Sequence, residues 1–234
     1  MKEYPIIFSA PMVRAILEGR KTVTRRIVTV LWRGSRRALP YEPYFVEEDG
    51  NLLVDCSEVA DSHGNGDYRE FSTCMPSPYG RAGDRLWVRE KWSAIHVSVD
   101  PETGKGDDLW AAKTIPASTE DGWWTPVYAA SDNDASMCTE LRGFQWHPSI
   151  HMPRWASRIT LEVVSVRIER LQAITREDAI AEGCGLGVMP LDYANGGKTA
   201  REVFAELWDQ INVKRATWAS NPCCWVISFR RVAT

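Results

Sequence analysis

Hydrophobic periodicity in this chain is confined to three blocks, residues 1–28, 81–96 and 151–234, separated by two long stretches, 29–80 and 97–150, that carry almost none. Pro40, Pro43, Pro76, Pro78, an Asp49-Gly50 turn and His63-Gly64-Asn65-Gly66 punctuate the first stretch. Asp100-Pro101-Glu102-Thr103-Gly104 and a Trp123–Trp124 pair mark the second. Neither offers enough patterned apolar sequence for a core of its own. The 234 residues therefore read as one α+β domain, a small mixed β-barrel with flanking helices and two loop-rich insertions.

Within the blocks, Tyr4 to Phe8 predicts a short strand. Ser9 follows as a helix N-cap, with Pro11 in the first turn, Met12, Val13, Ile16 and Leu17 at helical spacing, and Gly19 as the stop. The β-branched run from Thr22 to Val30 predicts a second strand, and Gly83-Asp84-Arg85-Leu86-Trp87-Val88-Arg89-Glu90 a turn and a third. Ser157 to Glu169 predicts a long strand in which Ile159, Leu161 and Val163 alternate before Val164, Val166 and Ile168 take the opposite phase. Such a change of phase predicts a bulge near Val163–Val164. Thr175 opens a short helix closed by Gly183. Ala200, Val203, Phe204, Leu207, Trp208 and Ile211 mark the clearest amphipathic helix, and Cys224 to Val232 a final strand.

Composition narrows the class. Hydrophobic residues make up 44%, with eleven Trp, seven Tyr and six Phe, which excludes global disorder. No window approaches the ~18 consecutive apolar residues of a membrane span. The first residues do not form a secretory signal, so the expected compartment is the cytoplasm and the six cysteines are expected to be reduced. Net charge is only −3, yet Arg14, Arg20, Lys21, Arg25, Arg26, Arg33, Arg36 and Arg37 stand against the single acid Glu18 in one segment. A basic block on an otherwise acidic chain points to a localised anion site, nucleic acid above all, or to a solvated basic surface.

Several motifs fail on inspection. Gly197-Lys198-Thr199 ends like a phosphate loop, but Asp192 stands where that loop needs Gly. Gly183, Gly185 and Gly187 follow a helix and lack dinucleotide-fingerprint spacing. Cys56, His63 and Cys74, or His147 and His151, lack the CxxC pairing of zinc sites, so neither metal nor cofactor is expected.

Gly19-Arg20-Lys21-Thr22-Val23-Thr24-Arg25-Arg26 carries more information. It resembles the Gly-x-Lys-x-x-x-x-Arg signature of the ASCH-domain superfamily, met here by Gly19, Lys21 and Arg26. Gly83-Asp84-Arg85-Leu86-Trp87-Val88 is similar to a strand of that family. Residues 174–183 are similar to its later helix, and Trp225-Val226-Ile227-Ser228-Phe229 to its last strand. The resemblance covers about half the chain and implies a PUA-like barrel with a cleft for RNA or nucleosides. One branch of the family hydrolyses N4-acetylcytidine with a Lys, a Thr and a Glu. Carried over by motif, these fall on Lys21, Thr24 and Glu182, while the two insertions depart from that branch.

The chemistry of such a trio is intelligible by itself. A Thr hydroxyl attacks an acyl carbon only when a neighbour takes its proton. A Lys does so only if burial or nearby cations bring its pKa below the usual ~10.4. Arg20, Arg25 and Arg26 are candidate neighbours, and Glu182 would orient Lys21 or carry a proton to the leaving amine. Lys21 and Thr24, three apart, diverge in a regular strand and converge only if Lys21 lies in the turn after Gly19. The plainer account makes Lys21 a helix-end cation and Thr24 an ordinary strand residue. A carboxylate at Glu182, in a last helical turn, suits that account less well.

Three functions stay open: an amidohydrolase acting on an acylated cytosine nucleoside or related amide, a non-catalytic RNA- or nucleoside-binding module, and a metal-independent ribonuclease. Gly19, Arg20, Arg25, Arg26 and Arg33 are the candidate binding residues for the nucleoside or RNA. Trp87, Trp155, Trp208 and Trp225 are expected in the core. Trp32, Trp123 and Trp124 either stack on bases or pack the insertions onto the barrel.

Overall fold

The computed structural model describes residues 1–32, 35–38, 44–48, 51–55, 75–99, 106–111, 124–132, 144–184 and 197–232. In chain order the elements are β1 (Glu3–Ile7), α1 (Ala10–Leu17), β2 (Val23–Ile27), β3 (Thr29–Trp32), β4 (Ser35–Ala38), β5 (Tyr44–Glu48), β6 (Asn51–Asp55), β7 (Met75–Pro76), β8 (Arg85–Arg89), β9 (Trp92–Val99), β10 (Gly106–Ala111), β11 (Trp124–Tyr128), β12 (Thr160–Arg170), α2 (Arg176–Ala181), α3 (Ala200–Asn212) and β13 (Cys223–Arg231). The fold is α+β, with a five-stranded sheet in the order β1-β8-β12-β13-β2 and few helices.

The stretches expected to be loop-rich insertions contain strands. Among their described residues β3 pairs with β4, β6 with both β5 and β7, and β10 and β11 each pair with β9, which starts within the block 81–96; all are antiparallel. These strands are short, and several, such as Tyr44-Phe45-Val46-Glu47-Glu48, lack period-two alternation. Backbone pairing forms them, and a hydrophobic pattern does not announce backbone pairing.

The run expected as one strand from Thr22 to Val30 is two. β2 pairs with β13 as far as Ile27↔Cys224, and β3 then pairs with β4 from Thr29↔Ala38. Val28, fully buried between them, donates its N–H to the Cys223 carbonyl at 2.9 Å. A change of partner divides the strand, and propensity carries no trace of it. Ile159, just before β12, and Leu161 and Val163 within it are buried as their alternation requires, whereas Val164 is 53% exposed.

The chain divides into two compact units. One comprises Met1–Tyr4, Arg20–Arg85 and Glu162–Arg230. One of its apolar clusters is Leu171, Ile174, Ala179, Cys184, Ala200, Phe204, Trp208 and Cys224, with Ile27, Leu207 and Trp218 packed against them. Both helices of this cluster start on threonine caps. Thr175 accepts the Asp178 N–H at 3.1 Å, while Thr199 and Glu202 form a reciprocal capping box on α3. β13 is buried on both faces from Cys223 to Ile227, so its apolar run shows no alternation.

The other unit comprises Pro5–Gly19, Leu86–Leu161 and Arg231–Thr234. Ser9 sits at the N-cap of α1 as expected, but its side chain makes no capping bond. Gly19, past the helix end, has φ +76°, a conformation that favours glycine. Trp92, Ala94, Met152 and Ala156 form a buried cluster against which Trp124, Tyr128 and Trp155 pack. Trp124 thus belongs to packing; Trp123 lies outside the described residues. Glu90, 1% exposed, makes a two-point pair with Arg158 at 2.9 and 3.0 Å, and that guanidinium lies 4.0 Å from the centre of the Tyr128 ring. No helix among the described residues is long and apolar enough to cross a membrane.

Candidate functional site

α1 ends before Lys21, and β2 begins after it, at Val23, so Lys21 lies in the connecting turn, free of strand geometry. From there its side chain runs inward and is wholly buried. Its ammonium donates to the Val23 carbonyl at 2.8 Å, to the Glu182 carbonyl at 2.9 Å and to Glu182 Oε2 at 2.6 Å. An ammonium has three N–H donors, and each has an acceptor here.

Glu182 is the C-cap of α2, where the last carbonyls of a helix lack partners. The Lys21 turn supplies them: the Thr22 N–H donates to the Ala181 carbonyl at 2.8 Å, beside the bond from Lys21 to the Glu182 carbonyl. The Thr22 carbonyl accepts from the Phe229 N–H of β13 at 2.9 Å. The helix whose end Lys21 serves is therefore α2, 161 residues away in sequence, and no longer α1. The carboxylate at that helix end is offset by the ammonium it touches.

Thr24 is buried too, opposite Ile227 in the β2–β13 register. Hydrogen bonds of the Lys21 ammonium run to Glu182 and to the carbonyl of Val23, the residue before Thr24. The sequence-predicted trio is thus brought together as a bonded pair, Lys21–Glu182, with Thr24 on the adjoining strand. Burial is the largest influence on Lys21 and holds its ammonium below the usual lysine range. Glu182 opposes the shift, and the Arg26 charge adds to it.

The candidate binding residues separate. Gly19 and Arg20 are exposed, Arg26 is half-buried, and Arg33 lies outside the described residues. Arg25 is wholly buried: Nη2 bonds Glu169 Oε2 at 2.9 Å and Asp178 Oδ2 at 2.5 Å, and Nη1 lies 3.7 Å from Glu182 Oε1. Arg167 joins the same group, giving Nε to Glu169 Oε1 at 2.6 Å and Nη2 to Asp178 Oδ2 at 3.1 Å. Sequence reasoning missed Arg167, Glu169 and Asp178. A signal existed: 167 and 169 are two apart on a strand, 178 and 182 four apart along a helix and its cap, so each pair shares a face.

Cys184 and Cys224 border the site as buried thiols, and burial pushes Cys184 up to about 11. Among the described residues no group of three His, Cys, Asp or Glu is arranged to hold a metal ion. No family model, curated protein or solved structure matches this chain.

Proposed function

We propose that this chain is an amidohydrolase acting on an N4-acylated cytosine nucleoside or a related small amide, with Thr24 as nucleophile and the Lys21–Glu182 pair as its proton acceptor and donor. The ASCH resemblance suggests the reaction. The observation that carries it is the buried ion pair: Lys21 and Glu182 meet at 2.6 Å beside the strand that holds a buried Thr24. Burial lowers the proton affinity of the Lys21 ammonium, which favours release of a proton toward the carboxylate it touches. The freed amine then takes the Thr24 hydroxyl proton, the oxygen bonds to the acyl carbon and the C–N bond breaks. The cytosine N4 leaves with the proton, and water cleaves the acyl ester to regenerate the hydroxyl.

Binding of RNA by the basic segment has less support, since Lys21 and Arg25, two of its eight cations, are buried against carboxylates. The same proposal extends to architecture: the five-stranded sheet belongs to a small PUA-like barrel. A crystal structure with β1 and β2 joined across their free edges agrees with this; an open sheet overturns it.

The experiment is incubation with N4-acetylcytidine, following cytidine by chromatography, with Thr24→Ala, Lys21→Arg and Glu182→Gln alongside. Thr24→Ala is the cleanest probe because it leaves both partners of the ion pair in place. Turnover by the parent and at least a hundredfold loss in Thr24→Ala are expected, on the order of a removed catalytic group. No turnover of any N4-acylated cytosine, or full activity in all three variants, overturns the reading.

A further inference from the structure

Glu182 has two carboxylate oxygens in unlike surroundings. Oε2 receives the Lys21 ammonium at 2.6 Å, while Oε1 is buried without a hydrogen bond. The nearest cation to Oε1 is Arg25 Nη1, at 3.7 Å, itself buried and without a hydrogen bond. That guanidinium cannot drift, because its other terminal nitrogen is fixed by Glu169 of β12 and Asp178 of α2. One planar group thus spans three carboxylates on two elements, the use to which a fork of fixed geometry is suited.

We infer that Arg25 is a positioning residue: anchored by Glu169 and Asp178, its guanidinium holds the far oxygen of Glu182, fixing that carboxylate against Lys21 and sharing its negative charge. The inference deepens the hydrolase reading and rests on it for the catalytic meaning of the pair.

Among the described residues, the charges around the pair come from three elements. Arg25 and Arg26 come from β2, Asp178 and Glu182 from α2 and its cap, and Arg167 and Glu169 from β12. The thiols are Cys184 after α2 and Cys224 on β13. Arg167 is the natural control. It binds Glu169 and Asp178 as Arg25 does, yet it is 39% exposed and its remaining hydrogen bond goes to Ser228 of β13. A residue that merely clamps α2 to the sheet would be mimicked by Arg167; one that acts on Glu182 would not.

The experiment is a pH titration of the Lys21 side chain by carbon-13 NMR in lysine-labelled full-length protein, without substrate, for the parent, Arg25→Gln, Arg25→Lys and Arg167→Gln. Loss of the Arg25 charge leaves Glu182 wholly to Lys21 and two further carboxylates less compensated. The Lys21 midpoint is expected to rise about tenfold in proton affinity in Arg25→Gln, within the range for one nearby charge. Arg25→Lys keeps the charge but cannot span three carboxylates, so a smaller rise is expected, about threefold. Arg167→Gln is expected to leave the midpoint unchanged. An unmoved midpoint in folded Arg25→Gln, or in Arg25→Lys should the first variant not fold, overturns the inference, as does an equal shift in Arg167→Gln. Turnover of N4-acetylcytidine is read separately: the acid limb of kcat/KM is expected to move with the Lys21 midpoint. A moved midpoint in a protein that hydrolyses nothing defeats the hydrolase reading and leaves the positioning role standing.

Discussion

Arg25 and Arg26 adjoin in sequence, and strand alternation sends them to opposite faces of β2. Arg25 goes to the face shared with Val226 and is neutralised by carboxylates; Arg26, opposite Trp225, stays half-buried. A count of basic residues cannot distinguish these fates, which is why Arg25 read from sequence as a binding residue. Lys21 obeys the same logic of burial. Its replacement by Met leaves the Glu182 carboxylate buried without its closest counter-ion and is expected to cost about 3–5 kcal/mol, measured as a fall in urea midpoint. The double variant Lys21→Met, Glu182→Leu is expected to recover most of that loss, since two apolar groups can replace a buried pair. Asp84 offers a pH test. Burial pushes its carboxyl up, but N–H bonds from Lys2 at 2.7 Å and Arg81 at 3.2 Å, with the N-terminal and Arg81 charges, outweigh this and hold it below the ordinary carboxyl value. A carboxyl depressed by folding adds stability above its ordinary value and loses it as pH falls through the lower, folded one. Urea midpoints measured from pH 5 to pH 2 are expected to fall more steeply in the parent than in Asp84→Asn; equal slopes refute this. Gly80 closes the same turn: a Cβ there would meet Tyr4 at 2.6 Å and Asp84 at 2.8 Å, on a residue with φ +75°.

At the scale of elements, what could be read from sequence was what carries its own punctuation. α1, α2 and α3 were legible from caps and a 3.6-residue period, and β8 and β12 from runs of apolar residues near a turn. The cap of α3 predicts a number. Thr199→Ala removes the hydroxyl that accepts the Glu202 N–H at 3.3 Å and is expected to cost about 1 kcal/mol, read from chemical denaturation. The small sheets between the blocks were not legible, because each strand takes its identity from a partner and not from its own residues. The point at Val28 where β2 gives way to β3 is the sharpest case. The candidate site lay between these extremes. The resemblance to the ASCH signature points to Lys21, Thr24 and Glu182, but the acids of β12 and α2 that hold Arg25 belong to no contiguous pattern.

At the scale of the whole molecule, apolar burial runs through the sheet strands, with Leu86, Leu161, Val226 and Ile227 fully buried, as well as through the clusters around Phe204 and Trp208 and around Trp92 and Met152. Cys184, Cys223 and Cys224 lie 4%, 4% and 0% exposed. Burial raises Cys184 and Cys224 above the ordinary thiol range, which lowers the reactive thiolate fraction at neutral pH. These three are expected to resist iodoacetamide in the native protein and to react in urea, so their labelling by mass spectrometry reports unfolding; rapid native labelling would contradict their burial. Lys21 and Glu182 bring a consequence of a different kind. They stand 161 residues apart, and the loop between them must close before either has its partner. A chain emerging from the ribosome presents Lys21 and Thr24 long before Glu182, so any chemistry that needs all three is silent while the intervening residues are being made. It begins only once the glutamate has emerged and α2 has docked.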